Sequence, residues 1–85
     1  MGLLQKDIES FGFILIHSGP DGALFEKNIR GDKIILSHHF ESDFIRVFNR
    51  ENDDRKYYLI TDIQVKNIDE LKFVFSRSTY SYLLL

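Results

Sequence analysis

Eighty-five residues make one small domain, with room for a single sheet and one or two helices. Its 44% apolar and 14% aromatic content excludes a disordered chain, and the absence of cysteine excludes disulfides, a thiolate nucleophile and a zinc–thiolate site. Thirteen acidic and eleven basic residues are interspersed for a net charge of −2, which excludes the basic footprint of a duplex-DNA or anionic-membrane binder.

Residues 2–11 predict a short helix, with Leu4, Ile8 and Phe11 on one face and Lys6 and Glu9 facing away. Gly12 suits a left-handed C-terminal cap, and Phe13 follows where such a cap places its apolar contact. Phe13 to His17 is a compact apolar run, expected as a buried strand. Ser18-Gly19-Pro20-Asp21-Gly22 is a strong turn signal: proline presets φ, aspartate suits the next position and glycine accepts positive φ.

Ala23 to Ile29 alternates as a second strand. Gly31-Asp32 predicts a tight two-residue hairpin between Arg30 and Lys33, leading into a third strand, Lys33 to Phe40. Glu41 and Ser42 allow a turn into a fourth strand, Asp43 to Asn49. The wholly polar run from Arg50 to Lys56 predicts an exposed loop, and Tyr57 to Val65 a fifth strand. Asn67 and Glu70 match a capping box, so a helix is expected from about Ile68 to about Tyr80, although Leu71, Phe73 and Phe75 also alternate as a strand would. Short connections favour antiparallel neighbours. The fold class that results is α+β: an N-terminal helix, an antiparallel meander of about five strands, and a C-terminal helix packed on the sheet.

Apolar residues exceed what one side of such a sheet requires. A half-exposed strand should be apolar at one parity only. Here Phe13 and Leu15 oppose Ile14 and Ile16, Ile45 and Val47 oppose Phe44 and Phe48, and Leu59 and Ile63 oppose Tyr58 and Ile60. In the last helix Ile68, Leu71, Val74, Phe75 and Tyr82 form one stripe, with Phe73, Tyr80 and Leu84 roughly opposite. Two arrangements accommodate this surplus: the helices cover opposite faces of the sheet while the tail Tyr82-Leu83-Leu84-Leu85 folds back, or one face is completed by another chain, most economically a second copy.

Catalytic chemistry finds little support. His38 and His39 are adjacent on a strand and project to opposite faces, so they do not bind one metal together; His38, Glu41 and Asp43 reach His17 only if the first and third strands are neighbours. Nothing marks a nucleophile with its base. Arg30-Gly31-Asp32 has the residues that its turn requires, Gly19 and Gly22 lack the frame of a phosphate loop, and Glu51 to Asp54 lacks the central glycine and final glutamate of a calcium loop. No cofactor, metal or catalytic residue is therefore expected.

Binding is the more natural expectation. Phe44, Arg46 and Phe48 share a strand face, and with Tyr58, Phe73 and Tyr80 they are the candidate anchors, because aromatics and arginine dominate desolvated interfaces. The expected function is a non-catalytic protein–protein interaction module acting as a homodimer. The alternative is single-stranded nucleic-acid binding, since alternating aromatic and guanidinium groups on a sheet stack bases. Lys72-Phe73-Val74-Phe75 shares the aromatic alternation of an RNA-binding strand but lacks that motif's glycine–aromatic core.

Lys6, Asp7 and Glu9 interrupt the first apolar stretch, Lys6 breaks a myristoylation pattern, and no run approaches the length of a membrane span, so a cytoplasmic protein without membrane attachment is expected. Ten isoleucines beside one alanine, one proline and no tryptophan match AT-rich coding, which suits a phage or mobile element of a low-GC bacterium. Combined with size and mild acidity, this suggests an accessory protein that inhibits a host or competitor factor, of the anti-defence or immunity type.

Overall fold

The computed structural model describes residues 3–29, 31–50 and 57–77, with the backbone alone for residue 50 and residues 57–61. Along the chain come α1 (Gln5–Glu9), β1 (Ile14–Ser18), β2 (Gly22–Ile29), β3 (Asp32–His39), β4 (Phe44–Arg50), β5 (Tyr57–Gln64) and α2 (Ile68–Ser76). The strands form one antiparallel sheet in the order β1-β2-β3-β4-β5, the α+β meander that short connections favour.

Alternation decides which side of the sheet is core. Phe25 of β2, Leu36 of β3 and Val47 of β4 lie side by side in register and are fully buried, as are Ile34 and Ile45 on the same parity. Onto this face pack Leu3 and Ile8 from the N-terminal segment and Leu71, Val74 and Phe75 from α2. Phe75 meets Phe11 edge-on at 5.2 Å and Phe13 at 6.1 Å. Both helices therefore occupy the same face of the sheet, which corrects the arrangement with one helix on each side. One face suffices because α1 is only five residues long and caps an end of the core beside α2.

Local chemistry fixes the element ends. Leu4 is extended rather than helical and faces solvent, and it is Leu3, not Leu4, that joins Ile8 in the core. The Leu4 N–H donates to the Asp7 carboxylate at 3.0 Å, closing the first turn. The helix covers Gln5–Glu9 rather than residues 2–11 and its C-cap is Ser10; Gly12, at φ +91°, closes the turn that follows by donating to the Glu9 carbonyl. In α2 the Asn67 side chain accepts from the Glu70 N–H at 3.0 Å, while the Glu70 carboxylate accepts from the Lys66 N–H, one residue before the usual capping-box partner. The helix stops at Ser76, with Arg77 extended, rather than continuing to Tyr80. Its apolar stripe ends at Phe75, and residues 76–79 offer nothing further to bury. Tyr80 and the apolar tail lie outside the described residues, as does the polar loop at 51–56.

Three register details differ from expectation, the first an extra residue in β1 that shifts the pairing between Leu15 and His17. Ile29 pairs with Asp32, so the tight connection is 30–31 and Gly31, at φ +87°, is its second residue. A connection at 31–32 would have set Arg30 against Lys33, whereas the observed register sets Asn28 there. In β5 an extra residue, Ile60, shifts the pairing: Thr61 opposes Val47, but Leu59 opposes Phe48. Leu59 and Ile63 consequently take positions on opposite faces, although their spacing alone puts them on one.

Gly22 shows how closely β2 and β3 approach. A Cβ built there would sit 2.5 Å from the His38 carbonyl oxygen, whereas at Gly19 it would meet nothing within 4 Å. Gly22→Ala is expected to destabilise the fold by about 1–3 kcal/mol, with Gly19→Ala far milder, as read by urea denaturation. Equal effects of the two substitutions would contradict this packing.

Candidate functional site

The second face of the sheet carries no described element, and its side chains fall into rows set by register. One row runs Ile14, Glu26, Ile35, Phe48 across β1 to β4. The next runs His17, Leu24, Ser37, Arg46, Asp62, and a third sets His39 beside Phe44 and Gln64. Ile14 is 69% exposed, and Leu24, Ile35, Phe44 and Phe48 are half-buried by their neighbours on the face. Charges sit between the apolar positions: Arg46 Nε pairs with Asp62 Oδ1 at 3.4 Å and stacks over Phe44 at 5.8 Å, and Lys33 reaches Glu26 at 3.7 Å. An apolar row flanked by ion pairs of mixed sign is a surface suited to another protein.

Of the six candidate anchors, Phe44, Arg46 and Phe48 are brought together on this open face. Phe73 is not among them. It projects from the outer side of α2, 68% exposed, and with Ile63 and Val74 lines a groove of about 470 Å³ between α2 and β5. Tyr58 takes the register position opposite Asn49, on the helix side of the sheet. The Asn49 Oδ1 is buried there without a hydrogen-bond partner among the described residues. The side chain of Tyr58 and the whole of Tyr80 lie outside what is described. Sequence reasoning passed over Ile35, the centre of the apolar row. Its signal was parity with Phe48 across a hairpin, readable only once the register was known.

The histidines separate as strand geometry requires. His38 is buried on the helix side at 3% exposure, and His39 is exposed on the other. His38 Nε2 lies 3.0 Å from Asp43 Oδ1, and its ring meets Phe40 edge-on at 5.4 Å. His17 stands across β2 from this pair and on the opposite face, so the expected condition for a shared site is not met. Among the described residues no three His, Asp or Glu side chains are grouped to hold a metal ion. No helix among them is long and apolar enough to cross a membrane.

The chain was compared with protein-family models, with curated proteins and with solved structures. It matches none of them.

Lys27 is a polar residue at a core position, sharing parity with Ala23, Phe25 and Ile29. Its Nζ donates to the Phe11 carbonyl and stands 5.7 Å from the centre of the Phe13 ring. Burial pulls its pKa below the ordinary 10.5, because desolvation penalises the charged amine. The folded chain therefore binds this proton less tightly than the unfolded chain. The cost is fully present below the folded pKa and is relieved as pH climbs towards 10.5. Relative to Lys27→Met, the wild-type chain should gain stability between neutral pH and pH 10.5, measured by urea denaturation at each pH. A flat or falling difference would contradict the burial of a charged amine.

Proposed function

We propose that this chain is a non-catalytic protein-binding module that works through the open face of its sheet, associating with a second copy of itself. The observation that carries this reading is the one-sided packing of the helices. It leaves Ile14 and Ile35, on either side of Glu26, on a face that no described helix covers. Two such faces stack in the manner of a β-sandwich, with inner side chains interdigitating across about 10 Å. A two-fold arrangement lets one patch serve both partners. In the cell the reading extends to an inhibitor of a host or competitor factor of the kind carried by phages and mobile elements. Small size, mild acidity and the isoleucine-rich composition support that extension.

The nucleic-acid reading rests on Phe44, Arg46 and Phe48 sharing one face. Against it stand the commitment of Arg46 to Asp62 and the presence of Glu26 in the apolar row, which place negative charge where a phosphate backbone would run.

Light scattering on the purified chain should give about twice its 10.0 kDa mass. Ile35→Lys, at the centre of the row, should reduce that to the monomer while leaving the thermal midpoint nearly unchanged, and Phe48→Ala should weaken association more than folding. A wild-type monomer at high micromolar concentration would overturn the self-association. Salt-dependent binding of short labelled single strands, abolished by Arg46→Ala, would overturn the protein-binding reading in favour of nucleic acid.

A further inference from the structure

The N-terminal segment is fastened to the sheet at both ends by ionisable side chains. At the front, the Leu3 N–H donates to Asp43 Oδ1 at 3.3 Å. Asp43 is itself held firmly: His38 Nε2 lies 3.0 Å from the same oxygen, and the Val65 N–H donates to the Asp43 carbonyl at 2.9 Å. Its backbone sits in the left-handed region at φ 52°, an arrangement that aspartate tolerates better than most residues. At the rear, the buried Lys27 donates to the Phe11 carbonyl. The next residue, Gly12, combines φ +91° with a Cβ position only 3.2 Å from the Lys27 side chain.

Between these points the segment is held to the core by the side chains of Leu3, Ile8 and Phe11, while its backbone bonds stay local. Its helix, Gln5–Glu9, is far shorter than an isolated helix needs for stability. The backbone hydrogen bonds of Asp7, Ile8, Ser10, Phe11 and Gly12 all run to residues within the segment. Leu4, Gln5, Lys6, Glu9 and Ser10 face solvent, and Leu3 and Ile8 are the fully buried side chains.

We propose that residues 3–11 form a strap that opens as a unit about Gly12 while the sheet stays folded, with Asp43 and Lys27 as its two fasteners. Opening removes Phe11 from the edge of Phe75 and withdraws Ile8 from the core. The end of the core beneath α1 is then an apolar cleft in the open form only. The strap is a low-stability cooperative unit of the kind seen in native-state exchange, set apart from the strands by its local bonding.

Native-state amide hydrogen exchange on the full chain tests this. The amides of Ile8, Ser10, Phe11 and Gly12 should exchange through a sub-global opening, faster than the paired amides of β2 and β3 and with a denaturant slope above zero but smaller than theirs. Asp43→Gly keeps the positive φ and deletes the carboxylate, and Lys27→Met deletes the rear fastener. Each should speed exchange of the strap amides by about 10-fold or more, the effect of losing a charged hydrogen bond, with a smaller change in the strands. Strap and strand amides exchanging with one common free energy in the wild-type chain would overturn the proposal. So would Lys27→Met accelerating all amides alike.

Discussion

Phe75 is the side chain on which the fold converges. It touches Phe11 from the end of the N-terminal segment and Phe13 at the entry to β1, and it is completely buried against the sheet. Burying a phenylalanine contributes about 1.5–3 kcal/mol, and edge-on aromatic contacts add roughly 0.5–1.5 kcal/mol more. In a domain of this size that is a large part of the net stability. One ring of α2 thus ties the residues that follow α1 and the entry to β1 into the same core.

That convergence has a geometric cost. Helices packed over one face leave the other without a described element over it. Natural sheets of this kind are normally polar there. Here the open face alternates rows, Ile14–Glu26–Ile35–Phe48 beside Leu24–Ser37–Arg46–Asp62, so Ile14 and Ile35 flank Glu26 and Leu24 adjoins Ser37, while Phe48 pairs with Ile35. Ion pairs and apolar groups are thus interleaved on one surface. Neither His38 with Asp43 nor Lys27 contributes to it. Those buried polar groups serve the helix side, where they secure the segment that covers the core.

The architecture was legible because its signals are local. Proline, glycine and aspartate at residues 19–22 mark a turn by their own dihedral preferences, and Asn67 with Glu70 marks a helix start by hydrogen-bonding capacity. The order of elements follows from such punctuation. Which face each helix chooses does not, because Phe11, Phe13 and Phe75 are far apart in sequence and their meeting is a tertiary event. The Ile60 irregularity was hidden for the same reason: a bulge is defined by the partner strand, not by the residues that carry it. Of the candidate anchors, the three on β4 could be grouped from alternation alone, whereas separating Phe73 from them required knowing that α2 packs on the far side. Lys27 was readable in principle, since it repeats the parity of Phe25 and Ile29. A lysine at such a position invites the reader to mistake the core face for the wet one.

The strand order is identical to the chain order, and this has a kinetic consequence. Every ladder in the sheet joins consecutive segments, so no pairing has to wait for a distant stretch of polypeptide to diffuse into place. Closing short loops costs little entropy, and β topologies built this way fold quickly compared with those that thread remote strands together. Assembly can proceed hairpin by hairpin as the chain emerges during synthesis, each new strand adding to a template already laid down. A nascent chain of this kind spends little time with its oily residues unshielded, a useful property for a sequence so rich in them.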